Sequence, residues 1–89
     1  MKHHDLKIFT KYFEAVADGR KKSEVRFDDR NYNIGDTVTL NEGEPDINGF
    51  KYTGRKISAR ISYITDFGCQ PGYLNLSLSD VGLLIAEEV

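Results

Sequence analysis

Short segments in which apolar and polar residues alternate are the feature that most limits how this chain can fold. The clearest is residues 73–78, Tyr-Leu-Asn-Leu-Ser-Leu, where leucine occupies every second position. Because successive side chains on a strand point to opposite faces, this pattern predicts a strand whose leucines face a core. Similar alternation recurs in residues 6–9, 24–27, 37–40 and 50–67. Five or six short strands with one early helix predict a mainly β (α+β) fold, a closed or nearly closed barrel capped by that helix.

The early helix is predicted between Thr10, a suitable N-cap residue, and Gly19, a glycine placed to adopt a left-handed C-cap. Apolar residues recur between them at helical spacing, and Phe13 and Val16 are expected in the core. A helix of two to three turns is not stable alone in water, so its aromatic face has to dock on the sheet. Tyr12 lies on the same helix, and its hydroxyl is expected to reach the edge of a cleft.

Two central strands are predicted from the alternation in residues 37–40 and 50–67. In the first, Val38 and Leu40 point inward. In the second, the dipeptide Thr53-Gly54 predicts a bulge or bend near the start. The inward-facing set that follows it is Ile57, Ala59, Ile61 and Tyr63.

The connecting segments are predicted from their turn-forming residues. Residues 41–49 are interpreted as an exposed loop at the tip of a hairpin, with Asn48-Gly49 as the turn. Near the carboxyl end, Ser79-Asp80 is predicted to turn the chain. Residues 81–86 would then add an edge strand or a short helix, and residues 87–89 would fray.

Composition restricts the classes of function. Lys and Arg total 12 against 14 for Asp and Glu, a formal net charge of −2. This balance argues against binding nucleic acid through bulk electrostatics, so any such contact needs a local basic patch. The one cysteine, Cys69, cannot form an internal disulfide, and neither a membrane-spanning apolar run nor a signal-peptide pattern is present. We therefore expect a cytoplasmic protein without membrane contact, forming one domain over residues 1–89 in which the packing of 79–89 is open.

No metal or cofactor is expected. His3 and His4 are adjacent, so on a strand they would point to opposite faces and could not hold one ion together. They are predicted to be surface or edge histidines. The acidic residues of the predicted hairpin loop, Glu42, Glu44 and Asp46, do not have the spacing of a calcium-binding loop.

Residues 19–30 are the most site-like stretch of the sequence. A glycine and a basic turn lead into a short strand on which Glu24 and Arg26 share one face, while Val25 and Phe27 share the other. Side chains two residues apart on a strand lie roughly 7 Å from each other, so the carboxylate and the guanidinium can line one wall. Lys21, in the preceding turn, can reach over that wall.

Several segments of the chain resemble the ASCH superfamily of PUA-like domains. The first group of matches is 4–8, 12–16, 19–22 and 24–26, which includes the pattern Gly-x-Lys-x-x-Glu-x-Arg. The second group, 29–30, 34–36, 52–55 and 71–73, points to one small branch of that superfamily. The resemblance extends from His4 to about Leu78. It implies a PUA-like pseudobarrel with a helix at one mouth, a cleft beside the helix, and RNA binding; a few relatives hydrolyse the acyl amide of acetylated cytidine.

The residues and the resemblance together predict an RNA- or nucleotide-binding cleft beside the first helix. Arg26 and Lys21 would donate charge-assisted hydrogen bonds to phosphate, and Glu24 would accept from an exocyclic amine of a base. Further binding residues are expected to be Tyr12 and Tyr73, as stacking surfaces, and Arg30 and Arg55, as phosphate contacts.

Two alternatives remain open. The first is a small amidohydrolase acting on an acylated nucleoside such as acetylcytidine, with Lys21 and Glu24 as catalytic residues. The amide-hydrolysing relatives have a threonine where this chain has Glu24, and Ser23 is one residue early and on the opposite face. Glu24 would therefore have to activate water, with Lys21 stabilising the oxyanion. The second alternative is a protein-interaction or phage-type accessory domain. The sequence does not determine the oligomeric state.

Overall fold

All five strands belong to one sheet in the computed structural model, which describes residues 1–84. In chain order the elements are β1 (His3–Phe9), α1 (Thr10–Ala17), β2 (Ser23–Phe27), β3 (Thr37–Asp46), β4 (Gly49–Thr65) and β5 (Tyr73–Leu84). Their order across the sheet is β1-β3-β4-β5-β2. β1 pairs with β3 in parallel, and the β3–β4, β4–β5 and β5–β2 pairs are antiparallel. The fold is mainly β with one short helix, as the alternation predicts.

The hydrophobic core lies between helix α1 and the inward face of the sheet. Phe13 and Val16 are completely buried, which confirms the predicted face of the helix. Burial of an aliphatic or aromatic side chain of this size contributes about 1.5–3 kcal/mol. The strand residues that complete the core are Leu6, Ile8, Val38, Leu40, Ile57, Ala59, Ile61, Leu76 and Leu78. The inward-facing sets predicted for three strands are therefore confirmed in β3, in β4 as far as Ile61, and in β5, where Leu74 is only partly buried.

The two ends of helix α1 differ in how well the sequence predicts them. Gly19 has φ of 85°, and the Lys21 N–H donates to the Ala15 carbonyl at 2.8 Å, so the predicted left-handed ending is confirmed. The prediction of Thr10 as N-cap is wrong. The cap position is Phe9, which makes no side-chain cap hydrogen bond, and Thr10 is the first helical residue.

The prediction of an exposed loop over residues 41–49 is wrong. β3 continues to Asp46, and only residues 47–48 separate it from β4, so the hairpin predicted at Asn48-Gly49 is present but its arm is longer. Gly49 has φ of 120°, a value that favours glycine. Polar residues extend the arm because its ladder is held by backbone hydrogen bonds, which do not depend on apolar side chains.

The bulge predicted at Thr53-Gly54 is confirmed. Pairing between β3 and β4 passes from Asn41–Lys56 directly to Gly43–Tyr52, so β4 contains two more residues than β3 in this interval. Extra residues bend a strand and redirect its side chains.

A second irregularity explains an incorrect prediction further along β4. The register with β5 shifts between Ile61 and Tyr63, and Tyr63 is 59% exposed instead of continuing the inward set. Because the side-chain period of a strand is two, one extra residue moves the following side chains to the opposite face.

The turn predicted at Ser79-Asp80 is also wrong. β5 continues through it to Leu84, and Asp80, with φ of 53°, lies at a bulge where pairing steps from Arg60–Ser79 to Ser58–Gly82. The predicted element over 81–86 is therefore part of β5 as far as residue 84. Residues 85–89, including the predicted frayed end, lie outside the described residues.

His4 is buried, with 5% of its surface exposed, so its prediction as a surface or edge residue is wrong. Its Nε2 lies 2.8 Å from Oδ2 of Asp36. The Asp36 carboxylate also accepts hydrogen bonds from the backbone N–H groups of Lys2, at Oδ1, and Asn33, at Oδ2. The hydrogen bond from His4 is the largest of the effects that lower the pKa of Asp36 to about 2. The local sequence pattern does not reveal this pairing because the partners are far apart in the chain. His3, in contrast, is about half exposed.

The sheet curls into a half-barrel, so that its two outermost strands, β1 and β2, face each other. Within residues 1–84 they are connected by side chains and not by a backbone ladder. Arg26 Nη2 donates to the Lys7 carbonyl, and Arg30 Nη1 donates to the Asp5 carbonyl at 3.0 Å. We call these two contacts the edge bonds. They keep the half-barrel curled and leave a gap between the strands.

Candidate functional site

Strand β2 turns its charged residues inward and its apolar residues outward. Glu24 is 7% exposed, whereas Val25 and Phe27 are 57% and 54% exposed, so the predicted separation of the two faces is confirmed. The cause is the register with β5, where Glu24 pairs with the fully buried Leu76 and therefore faces inward with it. Charged residues of this type are almost never buried unless they are paired.

Two cations hold the Glu24 carboxylate. Lys21 Nζ lies 3.0 Å from Oε1, and Arg26 Nε lies 3.1 Å from Oε2. Lys21 also donates to the Ser23 carbonyl and lies 5.6 Å from the centroid of the Tyr12 ring. The sequence-predicted residues Lys21, Glu24, Arg26 and Tyr12 are therefore brought together. Charge-assisted hydrogen bonds are about twice as strong as neutral ones.

A pocket of about 480 Å³ opens beside this group, in the gap between β1 and β2. Its volume is within the range of small-molecule sites, which is roughly 300–1,000 Å³. We call it the Glu24 pocket. Its lining combines one carboxylate and two cations with mostly apolar and aromatic walls: Lys7, Ile8, Phe9, Tyr12, Glu24, Val25, Arg26, Phe27, Pro45 and Phe50. Phe9, Lys7 and Phe50 are lining residues that the sequence alone did not single out.

Three other predicted site residues lie elsewhere. Arg30 lies at the edge bonds, and Tyr73 lines a different and more polar depression near Cys69. The Tyr73 ring packs edge-on against Phe27 with 5.5 Å between ring centroids, on the exposed face of β2. Arg55 lines a separate pocket of about 400 Å³ at the bulge of β4.

Arg55, itself about half exposed, forms an ion pair with the buried Glu42 that the sequence analysis did not predict. Its Nε and Nη2 donate to the two oxygens of Glu42 at 2.7 and 2.8 Å, and its Nη1 donates to Glu14 at 2.8 Å. Glu42 is 1% exposed, and Thr53 donates to it at 2.6 Å. The hydrogen bonds from Arg55 lower the pKa of Glu42, and Glu42 in turn raises the pKa of Arg55. The two-residue bulge on β4 brings these groups together, so a signal was available in Thr53-Gly54.

Residues 1–84 show neither a metal-binding cluster nor a membrane-spanning helix. Among these residues, no group of three or more His, Cys, Asp and Glu side chains is arranged to hold a metal ion. No helix in the same range is long and apolar enough to cross a membrane.

The curled sheet and the Glu24 pocket define a class: a small, mainly β domain with an ion-paired, aromatic-walled pocket between its two edge strands. The family model described as a domain of unknown function, DUF3850, matches residues 3–78, and the chain belongs to this family. The chain is also similar to an uncharacterized 12.9 kDa protein in the GpA 3' region of Escherichia phage P2. The two are 45% identical over 65 residues, which cover 73% of this chain and 56% of the phage protein. The chain thus matches about half the length of that relative.

Proposed function

We propose that this domain binds RNA or a nucleotide, with one nucleotide seated in the Glu24 pocket. The observation that carries the proposal is the inward-facing Glu24, held by two cations on a strand whose apolar residues face outward. Replacing a buried ion pair by apolar residues is often neutral or stabilising. Stability alone therefore does not account for this arrangement, which supports a role for Glu24 in binding a ligand.

The chemistry of the lining fits a nucleotide. Lys7, Lys21 and Arg26 give the pocket and its rim three positive charges against the one negative charge of Glu24, which favours a phosphate. Tyr12 and Phe50 offer flat surfaces for a base, and base–aromatic stacking is worth about 1–3 kcal/mol.

Backbone groups at the gap add hydrogen-bonding capacity. The Leu78 N–H donates to the Lys22 carbonyl, and the Asp28 N–H donates to the Gly72 carbonyl, at 2.9 and 2.8 Å. In an antiparallel ladder only every second residue forms backbone hydrogen bonds to the neighbouring strand. In β2 these are the even-numbered residues, whose backbone groups bond to β5. The backbone N–H and C=O of Val25 then point toward the pocket, where they and Glu24 could pair with the edge of a base.

The finer fold assignment is part of the same proposal. The half-barrel sheet and the single helix are compatible with a PUA-like pseudobarrel of the ASCH superfamily, in which the helix lies at one mouth. The motif around Lys21 and Glu24 supports it. An experimental structure with a nucleotide bound would test both the topology and the ligand.

The binding test compares wild type with Arg26→Ala. AMP, CMP, GMP and UMP are titrated against each protein by isothermal calorimetry at low salt. Losing one charge-assisted contact costs about 1.5–3 kcal/mol, so we expect affinity to fall roughly 10- to 150-fold. The matched control is Arg20→Ala. This variant removes an equal charge, but the Arg20 side chain pairs with Asp18 in an exposed turn, away from the Glu24 pocket.

Urea midpoints for both variants separate loss of binding from loss of fold. Equal affinity in wild type and a folded Arg26→Ala protein would show that the Glu24 pocket is not the binding site. If none of the four nucleotides binds, the proposal is wrong, and the protein-interaction or phage-type accessory role becomes the leading hypothesis.

A second candidate function is hydrolysis of an acylated nucleoside such as acetylcytidine. The contact of 3.0 Å between Lys21 and Glu24 favours it. Both oxygens of Glu24 already accept from cations, so activating a water molecule would require one of them to move. Acetate release from acetylcytidine that is lost in Lys21→Ala would support this activity; equal rates in the two proteins would rule it out.

A further inference from the structure

A row of aromatic rings, three exposed and one half-buried, continues outward from the Glu24 pocket. The rings are, in spatial order, Tyr12, Phe9, Phe50 and Tyr52, and the successive centroid distances are 6.5, 6.2 and 5.0 Å. Phe9 and Tyr12 are each 40% exposed, and Tyr52 is 53% exposed. The first three rings line the Glu24 pocket, and Tyr52 lines the pocket that contains Arg55. We call these four residues the aromatic row. It connects the Glu24 pocket with the pocket that contains Arg55.

The sheet register explains how the row forms. Phe9 and Tyr52 both pair with Gly43, so all three lie across neighbouring strands on the outer face of the sheet. Gly43 has no side chain, and the Phe50 ring occupies the space above it; a Cβ on Gly43 would clash with that ring. Phe50 thereby fills the position between Phe9 and Tyr52, and the rings become continuous.

Cations accompany the row. Lys7 Nζ lies 5.1 Å from the centroid of Phe50, and Lys11 Nζ lies 5.0 Å from the centroid of Tyr12. Lys7 and Lys56 both pair with Asn41, so they stand on the same outer face as the rings. Lys7, Lys11 and Lys56 thus bring three positive charges to the row, and Asp5, at the Tyr52 end, brings one negative charge.

We infer that the aromatic row is a stacking platform for single-stranded nucleic acid, which enters the Glu24 pocket at one end and leaves over Tyr52 at the other. Exposed rings beside lysines suit successive bases and phosphates, because stacking accepts every base and the cations follow the backbone. The row would hold roughly four nucleotides, at the lower end of site sizes for small single-strand-binding folds. This inference rests on the proposed function and adds that the ligand is a strand and not a free nucleotide.

The test compares the affinities of short and long ligands for wild type and for Tyr52→Ala. The probes are AMP, CMP and UMP and the RNA octamers A8, C8 and U8, measured by fluorescence anisotropy or calorimetry at fixed salt. Octamers are expected to bind more tightly than the mononucleotides. Tyr52→Ala is expected to weaken the octamers between about 5-fold and 150-fold while leaving the mononucleotides unchanged. Tyr63→Ala is the matched control, because Tyr63 is a similarly exposed tyrosine of the same strand outside the row.

Salt dependence provides an independent measurement. Each phosphate contact contributes about −0.7 to the slope of log affinity against log salt for a single strand. Lys56→Gln is therefore expected to make the slope for U8 less negative by about 0.7.

The outcomes separate the two proposals. If octamers bind no more tightly than mononucleotides, or if Tyr52→Ala binds them as wild type does, the stacking platform is wrong. Binding of the mononucleotides then decides the pocket proposal by itself. An equal loss in Tyr63→Ala would also overturn the platform. If neither mononucleotides nor octamers bind, both proposals are wrong.

Discussion

Three buried carboxylates each have a different set of partners. Asp36 accepts from His4 and two backbone N–H groups, Glu42 accepts from Arg55 and Thr53, and Glu24 accepts from two cations. Glu42 also adjoins a pocket, but it lies on the inner strand β3. Glu24 alone of the three stands in the gap between the edge strands. That position is why we propose Glu24 for the ligand contact.

Asp36 gives the fold a dependence on pH. Its pKa is about 2 in the folded protein, below its ordinary value of 3.8, because of the hydrogen bonds from His4 and the backbone. The ionised form therefore stabilises the fold above about pH 4, and this stabilisation is lost as pH falls toward about 2. Asp36→Asn is expected to lower the urea midpoint at pH 6 to 7, and the difference from wild type should shrink below pH 4.

The measurement is urea unfolding followed by circular dichroism from pH 2.5 to 7. Asp66→Asn, at an exposed loop position, is the control and should follow wild type throughout. A difference between wild type and Asp36→Asn that stays constant down to pH 2.5 would contradict the assignment of the low pKa to Asp36.

Among the elements, the β3–β4 hairpin arm depends most on one small residue. Gly43 is buried at the point where Phe50 lies across the outer face, and a Cβ there would lie 2.5 Å from the Lys51 carbonyl oxygen as well as against the ring. The backbone cannot move away without disturbing the adjacent bulge. Both the hairpin arm and the aromatic row therefore depend on the absence of a side chain at Gly43.

Gly43→Ala is expected to destabilise the protein by about 1–3 kcal/mol, the usual cost of overpacking. It should also change the near-ultraviolet circular dichroism, because Phe50 has to leave its position. Gly82→Ala is the control: its Cβ would meet only the Ser58 hydroxyl at 3.6 Å, an ordinary contact. Similar free energies of unfolding for the two variants would show that the contact at Gly43 is not restrictive.

The molecule as a whole is a sheet whose two ends are brought together by arginine side chains. Arg26 and Arg30 each donate to a carbonyl of β1, at the edge where a closed barrel would have a backbone ladder. A side-chain hydrogen bond contributes about 0.5–1.5 kcal/mol, far less than a ladder of several bonds. The gap is therefore the part of the sheet that opens most easily.

Arg30→Gln tests this weakness without altering the lining of the Glu24 pocket. Backbone amides of β1 and β2 are expected to exchange with solvent about 2- to 12-fold faster, corresponding to one lost hydrogen bond. Amides of β4 should keep wild-type rates. Arg20→Gln, in the exposed turn, is the control. The measurement is amide hydrogen exchange followed by NMR. Exchange rates that rise equally in all strands, or that do not rise in any, would contradict the role of the edge bonds.

The sequence predicts those parts of the structure whose cause is local. The leucines of residues 73–78, the buried Phe13 and Val16, and the left-handed Gly19 follow from periodicity and backbone preference. The convergence of Glu24 and Arg26 follows from their spacing on one strand.

What the sequence could not supply comes from long-range pairing. His4 and Glu42 are polar, and only partners elsewhere in the chain make their burial possible. The bulge before Tyr63 turns this side chain outward, although the alternation predicted that it points inward. Strand β5 continues through the bulge at Asp80, where the sequence predicted a turn. The aromatic row depends on the parallel register of β1 with β3, which a hairpin-based interpretation does not contain.

Strand β2 has one ladder neighbour, β5, and Ser23 pairs there with Ser77. A chain leaving the ribosome emerges from its amino end, so Glu24 appears long before the segment that has to receive its strand. Loop closure over such a separation is slow compared with forming a local hairpin such as β3–β4. The nascent domain would consequently form the β3–β4 hairpin first, and the Glu24 pocket would take shape only when nearly all of residues 1–84 have been made.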